Sequence, residues 1–159
     1  MYATLHRTSG ELPDDPAADL RLRQIGGPLG LTVHLWPERP AEPTAFEVRA
    51  DQHLSEPDAT PTVASVVTFT GPISEAVDEA GRRAARDRIA PAMRDHAGSV
   101  RMLALWQPEL RRQVLITLAT SVEALEEGGK KINSMPLLPD EDVALLPGPD
   151  HVEMFRVES

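Results

Sequence analysis

The sequence contains no cysteine. Disulfides, thiolate metal sites and cysteine nucleophiles are therefore excluded. Aromatic residues make up only 4% of the chain, so each of the 2 tryptophans is either a packing anchor or a surface for a flat ligand. Positive charge is also short: 16 Lys+Arg face 25 Asp+Glu, a formal charge of −9. The deficit is shared, with 5 bases against 10 acids in residues 1–61 and 11 against 15 in residues 62–159. Such a chain lacks the positive footprint that nucleic acid or an anionic membrane surface demands, and neither is an expected partner. No apolar run approaches the roughly 18 residues of a membrane helix. The segment MYATLHRTSG has no basic stretch leading into an apolar one. A soluble, cytoplasmic protein is the expectation. Nucleophile-elbow and zinc-protease motifs are missing, and Gly26-Gly27-Pro28-Leu29-Gly30 precedes a strand instead of opening a helix, so it reads as a turn and not a phosphate loop.

The 159 residues include 41% hydrophobic ones, enough to bury a core. Alternation marks strands at 2–8, 31–36 and 45–53. Between the first two, Asp14-Asp15-Pro16 resembles a helix start, and Leu20, Leu22 and Ile25 suggest a short helix that Gly26-Gly27-Pro28 stops. A Pro/Asp-rich turn at 56–61 separates two expected units, 1–61 and 62–159. The second unit starts with a strand at 63–70. A helix capped by Ser74 follows, running to about His96, with Pro91 kinking or restarting it. Next come a hairpin of 100–107 and 112–119 and a helix opened by the capping box Thr120-Ser121-Val122-Glu123. A proline-rich connection over 136–149 leads to a last strand at 151–157. That order, β-α-β-β-α-β, is the split βαβ arrangement of ferredoxin-like folds. The first unit reads as the same order truncated after β-α-β-β. A short echo, Leu35-Trp36-Pro37-Glu38-Arg39 against Leu105-Trp106 through Arg111, suggests an internal duplication.

Side chains alternate across a strand, so each strand has two readable faces. In the first unit one face is apolar: Ala3 and Leu5, Leu31, Val33 and Leu35, Phe46 and Val48. The other is polar: Tyr2, Thr4 and His6, Thr32, His34 and Trp36, Glu47, Arg49, Asp51 and His53. In the second unit both faces of the hairpin are apolar, and helices can cover only one of them. The expected solution is an α+β protein whose two antiparallel sheets pack into a barrel. If Trp36 and Trp106 occupy equivalent places, the apolar face of the first unit packs on its helix. Its polar face then turns inward, toward Met102, Ala104 and Trp106. One polar and one apolar wall is the composition of a small-molecule pocket.

The run from VASVVTFTGPISEAVDEAG through LATSVEALEEGGKK to HVEMFRVES resembles the dimeric α/β-barrel superfamily, nearest to its antibiotic-biosynthesis monooxygenase-like branch. The resemblance covers residues 62–159. It implies a barrel of two ferredoxin-like units, here both within one chain. It further implies functions such as cofactor-independent oxygenation of polycyclic aromatics or haem degradation. Those enzymes use Trp, His or Tyr near the second helix, and the helix expected at 121–135 carries none.

The candidate site follows from the polar wall. His34 is the candidate base for deprotonating a phenolic substrate. Tyr2, His6, Thr32, Trp36, Arg49, Met102 and Trp106 are the candidate ligand-binding residues, with the two tryptophans holding an aromatic ring. No cofactor and no metal are expected, because the histidines match no ligand spacing. The expected partner is a small molecule, and the chain is a monomer or a homodimer. Two alternatives stand beside this reading. One is a non-catalytic structural or interaction protein of the same fold; the other is haem binding through His34 or His6.

Overall fold

A computed structural model describes residues 1–158; Ser159, the last residue of the second expected unit, lies outside them. Eight strands form the frame: β1 (Tyr2–Ser9), β2 (Leu20–Gln24), β3 (Leu29–Trp36), β4 (Phe46–His53), β5 (Val63–Phe69), β6 (Ser99–Gln107), β7 (Arg112–Ala119) and β8 (His151–Glu158). They close into an antiparallel barrel in the order β1-β3-β2-β8-β5-β7-β6-β4. Each half of the chain contributes four neighbouring strands in one shared order, fourth-first-third-second: β4-β1-β3-β2 and β8-β5-β7-β6. The halves meet edge to edge along the seams β2–β8 and β4–β6.

The short helix expected after Asp14-Asp15-Pro16 does not form. Residues 20–24 are strand β2, with Leu20 and Leu22 buried and Arg21 and Arg23 pointing the other way. The physical reason is a period of two. Leu-Arg-Leu-Arg places both leucines on one side of a strand, whereas no helical stripe holds them together. The first half is thus a ferredoxin-like sheet with neither helix. Its unexpected strand restores the strand count, and the chain between β3 and β4 is a proline-rich loop.

Helices cover only the second half. Helix α1 (Glu75–Ala84) is capped by Ser74, whose hydroxyl accepts from Val77 N at 3.2 Å. It runs through one π-helical turn, Ala85–Ile89, into α2 (Ala90–Met93). The irregular turn sits just ahead of Pro91, which has no N–H to return to the preceding turn. Helix α3 (Val122–Ser134) is capped by Ser121, one residue later than the expected Thr120; the Ser121 hydroxyl accepts from Ala124 N at 3.1 Å. Its first turn packs on Val63 and Ala119.

The apolar faces of both halves point into the barrel. Ala3, Leu22, Leu31, Val33 and Phe46 meet Leu103, Leu105, Ile116, Leu118 and Phe155 in one buried cluster. Burying each large side chain there contributes about 1.5–3 kcal/mol. This reverses the expected orientation, in which His34 and Trp36 faced inward. Without a helix on the first half, its apolar face has only the lumen in which to leave water, and the polar face is turned out. The tryptophan echo also fails as an equivalence. Trp36 ends β3, the third strand of its half, whereas Trp106 lies near the end of β6, the second strand of its own. The hairpin matching β6–β7 is β2–β3, whose turn is built on Gly26 at a φ of 75°.

Candidate functional site

On the outer face of the first sheet, β1 and β3 set three cross-strand pairs side by side: Tyr2 with Trp36, Thr4 with His34, and His6 with Thr32. Thr4 and Thr32 are buried. The Trp36 indole N–H donates to Thr4 Oγ1 at 3.1 Å. The His34 ring stacks on Trp36, with centroids 6.0 Å apart and planes 26° apart, and His6 meets it edge-on at 5.8 Å. Two loops replace the missing helices as cover. The segment after β1 lays Leu12 over Gly30, where a Cβ would meet Leu12 Cδ1 at 2.7 Å and Thr8 Oγ1 at 2.8 Å, so a larger residue would displace both side chains. Asp19 Oδ2 accepts from Leu35 N at 2.7 Å and straps the same segment to β3. The loop after β3 brings Glu42 to 3.7 Å from His6 Nε2.

Asp15 orients the histidine. Its Oδ2 lies 2.8 Å from His34 Nε2, and its other oxygen accepts from Ala17 N at 3.0 Å. The hydrogen bond from His34 is the larger cause, and that from Ala17 the next, of a carboxyl held below the usual Asp range. An ionised carboxylate only accepts, so the Nε2 that faces it carries a proton and donates. Nδ1 is buried with no partner. The imidazole is fixed at one nitrogen by Asp15 and shielded from solvent at the other.

The expected site residues therefore fall into separate places. Tyr2, His6, Thr32, His34 and Trp36 come together. Arg49 and Trp106 form a second cluster beside α1: the Arg49 guanidinium lies 3.9 Å over the Trp106 ring and donates to Asp78 Oδ1 at 2.7 Å and Oδ2 at 3.2 Å. Arg111 lies 5.3 Å from the same ring, and the indole is 5% exposed. Trp106 is thus a packing anchor, clipped between β4 and α1. Met102 faces Gln52 and Thr117 along β6 and joins neither cluster. Sequence reasoning missed Asp15, Asp19 and Glu42, whose loops carry no pattern that foretells where they fold back. Thr4 was readable, since it alternates with Tyr2 and His6 on one strand face.

No family model matches the chain, and no curated protein matches it. Solved structures do. An uncharacterised ferredoxin-fold protein related to antibiotic biosynthesis monooxygenases, from Listeria monocytogenes, superposes with a TM-score of 0.67 at 9% identity, covering 100% of this chain and 95% of its own. A heme-degrading enzyme from Listeria monocytogenes gives 0.61 at 8% identity, covering 99% and 100%. A major regulator of staphylococcal pathogenesis gives 0.65 at 7%, covering both chains in full. An anthrone oxidase-like protein gives 0.54 at 13%, covering 99% and 91%. At these identities the likeness is one of fold. The shared fold is the ferredoxin-like one, here with two sheets closed into one barrel within a single chain.

Proposed function

We propose that this chain binds a flat small molecule on the outer, helix-free face of its first sheet, against Trp36. One observation carries the reading. The indole is stacked on His34 on one side and held by Thr4 through its N–H, yet 38% of the residue remains exposed. An aromatic side chain fixed behind and open in front is a stacking platform. His6, Glu42 and Asp15 supply polar groups around it. In this reading His34 is chiefly a positioning residue for Trp36. Nδ1, the nitrogen through which it would take a phenolic proton, is covered. A base role therefore requires that nitrogen to become exposed. The monooxygenase-related, haem-degrading and anthrone oxidase-like proteins of the same fold motivate two probes, anthrone and haemin.

Anthrone and haemin are titrated separately while the backbone amides of Thr4 and His34 are followed in ¹H–¹⁵N spectra. Saturable shifts are expected with at least one of them. Trp36→Ala is expected to weaken that ligand's affinity ~3- to 10-fold, the scale of one aromatic contact. An unchanged affinity in folded Trp36→Ala contradicts the site. A second reading, a non-catalytic interaction protein, is favoured by the filled lumen. It requires that neither probe bind saturably.

A further inference from the structure

Away from this face, one end of the barrel holds a cation that no carboxylate among the described residues pairs with. The inward-facing positions continue past the apolar layers: Ala3 and Leu5 lead to Arg7, Ala64 and Val66 to Thr68, Phe155 to Glu153, and Val114 back to Arg112. These polar groups line an open cleft of about 530 Å³, together with His151 and Val152. Arg7 is spoken for. Its guanidinium donates to both Glu153 oxygens, at 3.0 and 2.8 Å, a bridge that passes over β3 and β2. Asp150, at the rim, is also engaged, accepting from Thr70 N at 2.8 Å. Arg112 is different. Among the described residues no carboxylate pairs with it; its guanidinium rests 5.5 Å from the Phe46 ring, and its Nε is buried without a partner. Burial, and then the charge of Arg7, disfavour its protonated form, yet an arginine stays charged in proteins.

Two further buried atoms at this end are unsatisfied. Thr68, only 5% exposed, leaves Oγ1 without a partner, as does Oε1 of Gln107, the residue directly opposite Arg112. Of the six unsatisfied buried side-chain atoms among the described residues, three thus gather at one end. Buried polar groups are nearly always satisfied, so the two donors among these three, the Arg112 Nε–H and the Thr68 hydroxyl, call for an acceptor at this end.

We infer that this mouth binds a small organic oxyanion, a carboxylate or phosphoryl group accepting from the Arg112 guanidinium and the Thr68 hydroxyl. The guanidinium fork matches two oxygens of either group, and the threonine hydroxyl supplies a third donor. The exposed side chain of Val152 offers apolar surface to the ligand's carbon body. The site is separate from the Trp36 platform, so one can fail without the other.

The test uses the full chain, with benzoate and inorganic phosphate as probes and sodium chloride as the ionic-strength control. Two-dimensional ¹H–¹⁵N spectra follow the Arg112 Nε–H and the amides of His151 and Val152. A saturable shift is expected with at least one oxyanion. Saturation by benzoate alone identifies a carboxylate site, and saturation by phosphate alone a phosphoryl site. Arg112→Met and Thr68→Val are each expected to weaken that affinity at least about tenfold, read on the His151 and Val152 amides. If Arg112→Met fails to fold, Thr68→Val decides. Shifts from both probes that only track the chloride control overturn the proposal. So does an unchanged affinity in a folded variant.

Discussion

Asp15 is one-third exposed at its side chain, yet it orients a histidine that is mostly covered. Its carboxyl is held below the ordinary value by His34 first and the Ala17 amide second. The sign of the resulting pH effect follows from linkage. A carboxyl whose pKa is lowered by folding stabilises the fold above its unfolded value of about 3.9 and loses that contribution as pH falls through the folded value. Asp15→Asn removes the titrating group. Its melting temperature is expected to fall less than that of the wild type between pH 5 and pH 3, measured by thermal circular dichroism. Equal losses in both proteins would mean that Asp15 adds nothing to acid sensitivity. Arginine 49 teaches a related point. On a strand read alone it looks like a ligand-binding cation, but its two hydrogen bonds to Asp78 and its contact with Trp106 tie it into the fold.

Among the elements, β2 decides the most. Its five residues were legible only through their alternation, and the acid-proline sequence ahead of them resembles a helix start strongly enough to mask it. Once Leu20–Gln24 is a strand, the first half has no helix, and its apolar face must fill the lumen. The expected inward-facing His34 depended on that missing helix. Leu22, fully buried between β3 and β8, is the sharpest probe. Leu22→Ala is expected to cost about 2–5 kcal/mol in chemical denaturation, the range for a truncated core leucine. A loss near zero would place the segment outside the core. The second half was more readable throughout. Its strands are apolar runs bounded by turn residues, and Ser74 caps as expected. Pro91 announces the break that takes the form of a π-helical turn. What the sequence withheld there is the neighbour of each outer face, since periodicity reports burial but not the partner. Trp106 was recognisable as an anchor or a stacking surface, and only its contacts with Arg49 and Arg111 choose the former.

At the scale of the whole molecule, the barrel closes by joining two sheets along both edges, with neither half able to bury its inner face alone. A chain beginning at residue 62 would expose Leu103, Leu105, Val114, Ile116 and Leu118 to water. Such a fragment is expected to self-associate, pairing its bare sheet with a second copy, and to elute as a dimer or larger species in size-exclusion chromatography. A well-behaved monomer would contradict the shared core. The fold class and the barrel itself were legible from two facts: both faces of the second hairpin are apolar, and one face of the first sheet is. Which face of the first sheet turns inward was not, because that depends on an element whose local sequence points two ways.

The flat ligand is proposed to bind on the outer face of the first sheet, the layer without helices, and not in the filled lumen. Amide shift mapping with anthrone tests it most directly. The predicted result is a set of saturable shifts at Thr4, Asp15, His34 and Trp36, with Val66, Ile116 and Phe155 in the lumen unmoved. Shifts centred on those three lumen residues, with Trp36 silent, would contradict it.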